Sequence, residues 1–117
     1  MTKPVATYTA ETIAEKLAAL AGWSFGEDLI YHEYRTDGWP TTLMLVNAIG
    51  FVCEAADHHP DLMVTWGKVI VSLSTHSAGG VTDSDLAMAK KIDETVLWRP
   101  GADTPLRGTT RPFVEGG

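Results

Sequence analysis

Residues 54–76 read EAADHHPDLMVTWGKVIVSLSTH. The stretch decides the fold because its apolar period changes inside it. Approaching it, Leu45, Ala48, Ile49, Val52 and Ala56 share one face at three- and four-residue spacing, which predicts a helix over residues 41–57. Pro60 disfavours helix at the residue before it, so that helix should stop near His58. Beyond the proline, "LMVTW" and "KVIVSLST" read as two strands joined tightly at Gly67. In the second, Val69, Val71 and Leu73 alternate with Lys68, Ile70 and Ser72, as in a strand with one face on a core.

The same reading extends outward in both directions. Residues 23–36, WSFGEDLIYHEYRT, predict a hairpin: Trp23 and Phe25 alternate with polar residues, and "GED" supplies the turn. Leu29, Tyr31 and Glu33 then alternate with Ile30, His32 and Tyr34. Residues 9–23, TAETIAEKLAALAGW, predict a helix with Thr9 as N-cap, Ile13, Leu17 and Leu20 at helical spacing, and Gly22 as its stop. Downstream, "SAGG" is a loop. "TDSDLAMAKKIDETVLW" is a helix with Thr82 as N-cap and Asp85 at the capping-box position. The order is helix, two strands, helix, two strands, helix. It predicts an α+β fold, a four-stranded antiparallel sheet with its apolar face covered by the helices. From Arg99 the chain changes character: RPGADTPLRGTTRPFVEGG has three prolines and four glycines. The reading is one domain over residues 1–98 and an extended or disordered tail over 99–117.

The chain has 117 residues and a net charge of −6. That length suits one domain with a modest core. With no basic cluster, a nucleic-acid backbone is not an expected direct partner. The apolar runs are broken short of a membrane span, and "MTKPVATYTAET" has no signal-peptide core. The single cysteine, Cys53, excludes an internal disulfide and a cysteine-based zinc site, and it lies in an apolar helical pattern as a core residue. Together these features predict a cytoplasmic protein.

Three of the four histidines lie between residues 58 and 76. If the two strands after Pro60 form a hairpin, His58 and His59 meet His76 at one end of it. Glu54 lies four residues before His58, so both can face one side of a helix. Asp85 opens the next helix. Such a pocket gathers imidazoles, which change charge near neutral pH as general acid–base chemistry requires, and carboxylates that fix their tautomers. Blander readings stand beside it. His32 reads as a surface or capping residue, Asp85 as a simple helix cap, and Trp66 as core. Three histidines with Glu54 or Asp57 could also bind zinc, although adjacent histidines diverge on regular structure and chelate poorly.

The run E-x-x-D-H-H-P-x-x-x-x-x-W, then nine residues, His76, eight residues and Asp85, resembles the signature of the pterin-4a-carbinolamine dehydratase family. The flanking "VIVSLSTHSAGGVTDSDLAMAKKID" is similar to that family's strand, loop and last helix. The resemblance implies a four-stranded antiparallel sheet with three helices on one face, and assembly as a homodimer or a dimer of dimers. It implies dehydration of 4a-hydroxytetrahydrobiopterin to quinonoid dihydrobiopterin, without a metal or organic cofactor. His58 and His76 would be the acid–base pair and His59 would hold the pterin. Glu54, Asp57 and Asp85 would orient imidazoles or bind polar pterin edges, and Trp66 falls on the family's tryptophan as a substrate contact. Two positions depart from the pattern: Leu62 stands where relatives often have an aromatic residue, and Ser84 where many have arginine. Some relatives of this fold have left catalysis, and one group assists Rubisco assembly in alpha-carboxysomes. The alternative reading is therefore a non-catalytic assembly factor, a chaperone with a Rubisco subunit as client.

Overall fold

The computed structural model describes residues 7–116. Helix α1 (Ala10–Leu17) begins at Thr9, whose side chain accepts the Thr12 N–H. It ends earlier than the apolar spacing predicts, because the chain tightens into i→i+3 turns through Leu20 and Trp23. Strands β1 (Ser24–Gly26) and β2 (Leu29–Thr36) form the expected hairpin. Its two turn residues, Glu27 and Asp28, both adopt positive φ (53° and 62°). That is the left-handed two-residue geometry whose twist matches the strands, reached here without glycine. Helix α2 (Trp39–Ala56) starts two residues before the expected Thr41. Pro40 sits in its first turn, where a missing N–H removes no helix bond. Strands β3 (Asp61–Thr65) and β4 (Lys68–Leu73), helix α3 (Asp83–Val96) and the short strand β5 (Val114–Glu115) follow.

The sheet order is β1-β2-β4-β3, antiparallel throughout, with β5 added to β2. Ile30, Tyr34, Val69, Val71 and Leu73 form a core with Ile13, Leu45, Ile49, Cys53, Met88 and Ile92 from the three helices. The α+β architecture read from the sequence is therefore present, and β5 is its one addition. Burial raises the Cys53 thiol above its ordinary pKa, in keeping with a packing residue rather than a nucleophile.

His32 is not the surface residue the sequence suggested. It lies between Ile30 and Tyr34 on the same face of β2 and is 2% exposed. Its ring lies 4.1 Å from the Tyr34 ring and 5.2 Å from that of Trp23. Nδ1 is 3.4 Å from Asp93 Oδ1 but outside hydrogen-bonding geometry, so among the described residues neither ring nitrogen has a hydrogen-bond partner. Strand alternation, which carries residues 30, 32 and 34 inward together, outweighs the polarity of one imidazole.

Helix α2 has 18 residues and a mean hydropathy of 1.2, enough by length and composition to cross a membrane. Counting unbroken apolar runs misses this, because Pro40, Thr41, Thr42, Asn47 and Gly50 interrupt them. In the fold, Thr41, Thr42, Leu45, Ile49 and Cys53 are buried against the domain. The opposite side leaves Leu43, Met44 and Phe51 exposed, Phe51 by 75%.

The stretch from Arg99 is extended and mostly irregular, yet its far end is tied to the sheet. Val114 is buried, and Val114 and Glu115 pair with Thr36 and Arg35. Since β4 occupies one edge of β2 from Ile30 to Arg35, β5 shares the other edge with β1. Asp37 N–H donates to Phe113 O, the Arg99 guanidinium lies 4.8 Å from the Phe113 ring, and Arg111 pairs with Asp37. Gly116 packs so closely that a Cβ there would sit 2.6 Å from Tyr34 Cδ1. The tail thus helps to cover a core tyrosine. Burying one valine is worth about 1.5–3 kcal/mol. Each kcal/mol moves Tm by about 4–5 °C in a chain of 117 residues. Truncation after Trp98 should leave a folded domain whose melting temperature, followed by circular dichroism, is roughly 5–15 °C lower. An unchanged melting temperature would show that β5 contributes no stability.

Candidate active site

The site is built where α2 ends. Asp57 takes a left-handed conformation (φ 52°, ψ 43°). Its N–H donates to Glu54 O, and the His58 N–H donates to Cys53 O. This pair of bonds is the Schellman motif, with aspartate where glycine is usual. The reversal sends the two adjacent imidazoles in different directions. His58 turns inward and is 16% exposed, with Nε2 2.6 Å from Asp85 Oδ1. His59 stays outside, with Nε2 2.7 Å from Glu54 Oε1. The expected alignment of Glu54 with His58 on one helix face is therefore corrected. The helix stops at Ala56, and Glu54 meets His59 instead.

Asp85 is completely buried. Its Oδ2 accepts the Thr82 N–H at 2.9 Å, completing the capping box that the sequence predicts. The same Oδ2 accepts the Thr75 hydroxyl at 2.8 Å. The cap reading and the imidazole-partner reading both hold, one on each carboxylate oxygen. Thr75 and Thr82 hydroxyl oxygens lie 2.7 Å apart, and Thr82 Oγ1 also accepts the Ser84 N–H. Sequence reasoning missed Thr75 altogether and saw Thr82 only as a cap. The available signal was that Thr75 and Thr82 bracket the glycine loop just ahead of Asp85.

The β3–β4 register pairs Asp61 with Ser72, so residues 58–60 and 74–76 leave the hairpin at the same end. A bridge between Thr75 and Gly80 closes the loop that carries His76. His76 is exposed, and among the described residues no hydrogen bond joins its imidazole to another side chain. Asp57 is exposed at the helix cap. Trp66 lies at the other end of the five-residue strand β3, about 15 Å away at 3.3 Å per residue. There it packs on Gly38 and is 68% exposed, neither core nor part of the histidine cluster. Leu62 faces the helices from β3, opposite Val71.

A cavity of about 320 Å³ adjoins His58, with Asp57, Ser84, Met88 and Lys91 in its walls. A larger groove of about 610 Å³ runs between α1 and α3 past Lys16, Leu20, Leu86 and Lys90, and holds no histidine. Among the described residues, no group of three or more His, Cys, Asp or Glu side chains is arranged to hold a metal ion. What the structure shows is one imidazole, His58, gripped by the buried Asp85 carboxylate beside this cavity, with His59 next to it in the chain and held by Glu54.

A family model described as "Pterin 4 alpha carbinolamine dehydratase" matches residues 6–95. A protein of Aquifex aeolicus (strain VF5), named "Putative pterin-4-alpha-carbinolamine dehydratase", is 49% identical over 86 residues, 74% of this chain and 87% of that protein. A protein of Paracoccus denitrificans (strain Pd 1222) with the same name is 42% identical over 87 residues, covering 73% of this chain and 81% of its own length. Among solved structures, a transcriptional coactivator/pterin dehydratase from Brucella melitensis aligns with a TM-score of 0.72 at 29% identity. That alignment covers 77% of this chain and 98% of the Brucella chain.

Proposed function

Because the chain belongs to the pterin 4 alpha carbinolamine dehydratase family, we propose that it dehydrates 4a-hydroxytetrahydrobiopterin to quinonoid dihydropterin by histidine acid–base catalysis. The observation that carries this reading is the His58–Asp85 contact, an imidazole held by a fully buried carboxylate beside an open cavity. In the reaction the bond from carbon 4a to oxygen breaks. The neighbouring ring nitrogen loses its proton, and a carbon–nitrogen double bond forms between them. Hydroxide leaves slowly, so one group protonates the departing oxygen while another takes the ring-nitrogen proton. His58 and His76 fill these two roles, at the common end of the β3–β4 hairpin. His59, held by Glu54, binds the pterin, and Asp57 offers a further polar contact. Ser84 and Lys91 share the cavity wall, and Lys91 supplies a cation there. Assay of purified protein on the carbinolamine tests the proposal. His59→Ala should raise KM more than it lowers kcat. An unchanged KM would remove His59 from substrate binding.

The chain should work as a homodimer or a dimer of dimers. Two features support assembly. Among the described residues strand β3 ends the sheet with an unpaired edge, which sheet proteins commonly cover by pairing. The outer side of α2 exposes Leu43, Met44 and Phe51, and no charged residue occurs between Trp39 and Cys53. Sedimentation at micromolar concentration should give about two or four times the chain mass of 12.6 kDa. A mass of one chain would contradict the assembly. The same α2 surface favours the alternative, a binding role with a Rubisco subunit as client. A folded protein that captures such a client and lacks turnover would support that alternative.

A further inference from the structure

We infer that the Thr82 and Thr75 hydroxyls are positioning groups that fix the tautomer of His58, so that His58 offers Nδ1 to the substrate. The inference rests on the dehydratase reading for its consequence in turnover, but its geometry stands by itself. A carboxylate only accepts hydrogen bonds, and a threonine hydroxyl has one proton to give. Thr75 lies 2.8 Å from Asp85 Oδ2, so its proton points to that oxygen. Thr75 Oγ1 then has only lone pairs left for Thr82 Oγ1, 2.7 Å away, so Thr82 is the donor there. Thr82 Oγ1 in turn accepts the Ser84 N–H.

Every proton in the chain therefore has a direction, running Thr82 to Thr75 to Asp85. With Oδ2 occupied by the Thr75 hydroxyl and the Thr82 N–H, Oδ1 faces His58 Nε2 at 2.6 Å. That nitrogen carries a proton in the neutral ring, and the lone pair resides on Nδ1. Among the described residues Nδ1 makes no hydrogen bond, and the ring, 16% exposed, borders the cavity in which a substrate would sit. His58 then exchanges one proton with the substrate at Nδ1, in its share of the acid–base pair with His76, while Asp85 stabilises the imidazolium. The threonines touch no substrate. They hold the carboxylate rotamer that holds the ring.

Nitrogen-15 NMR of the ligand-free protein tests this without any turnover. The expected wild-type spectrum shows neutral His58 protonated at Nε2, with a slowly exchanging ring proton. Thr75→Val should lose that slow proton and lower kcat by about 10–100-fold, the scale of small misplacements, with KM nearly unchanged. Thr75→Ser, which keeps the hydroxyl, should restore both. A wild-type His58 protonated at Nδ1 would overturn the inference even if Thr75→Val failed to fold. A folded Thr75→Val protein with the slow proton and kcat intact would overturn it as well. An inactive wild type that shows the Nε2 proton would sink the dehydratase reading and support the relay.

Discussion

Replacing His58 with alanine should lower dehydratase turnover by roughly 10²–10⁴-fold, the usual worth of a positioned acid or base, and His76→Ala should act on the same scale. The two variants carry different structural risks. His58 is mostly buried on Asp85, so its removal deprives a buried carboxylate of one donor. Asp85 keeps the Thr82 N–H and the Thr75 hydroxyl, so the loss should stay near 1–3 kcal/mol and the fold should survive. His58→Gln is the sharper variant: its amide can still donate to Asp85 but cannot exchange a proton near neutral pH. If His58→Gln retains wild-type kcat, the His58 proton is not used in the reaction. His76 is exposed and makes no side-chain hydrogen bond among the described residues, so His76→Ala should lose turnover with almost no change in stability. A His76→Ala protein with full kcat would leave the second proton-transfer role unfilled.

Asp93→Ala should be the most damaging single change to stability outside the apolar core. Asp93 accepts the Trp23 indole N–H at 3.0 Å and the Tyr34 hydroxyl, and it lies beside the His32 ring. Trp23 and Tyr34 are both buried. Alanine leaves two buried donors without an acceptor, at about 1–3 kcal/mol each, and the total should lower Tm by roughly 10–25 °C. Denaturant unfolding would measure it, and a loss under 1 kcal/mol would show that water replaces the carboxylate. The same contact ties stability to pH. Burial first, and then the Asp93 hydrogen bond, raise the Tyr34 phenol well above its ordinary value of 10.0. The folded chain keeps a proton there that the unfolded chain gives up. The stability it contributes is whole below about pH 10 and falls as pH rises beyond it. Tyr34→Phe should flatten that alkaline loss, and an unchanged alkaline limb would assign it to another group.

The elements were legible where pattern and chemistry agree. Alternation in residues 68–73 and the capping box at Thr82 fix β4 and the start of α3 without help from distant contacts. That residues 58–60 and 74–76 leave the hairpin at the same end followed from placing one turn at Gly67. What escaped depends on tertiary context. His32 is polar by type, and only its strand phase between Ile30 and Tyr34 reveals that it goes inward. The orientation of His58 depends on a left-handed aspartate, which local propensity does not announce, and that residue decides which histidine meets which carboxylate. The end of the tail has two sheet residues and one close glycine, too short a segment for periodicity to register. Thr75 carries no motif of its own, and its role exists only because the loop closed at Gly80 brings it to Asp85.

Turnover of freshly formed 4a-hydroxytetrahydropterin by the purified full chain is the measurement on which the account rests. Water loss should run well above the spontaneous rate with no added metal, and should fall to background in His58→Gln and His76→Ala proteins that remain folded. A folded wild-type chain that leaves the spontaneous rate unchanged would contradict the dehydratase reading and turn attention to the exposed side of α2.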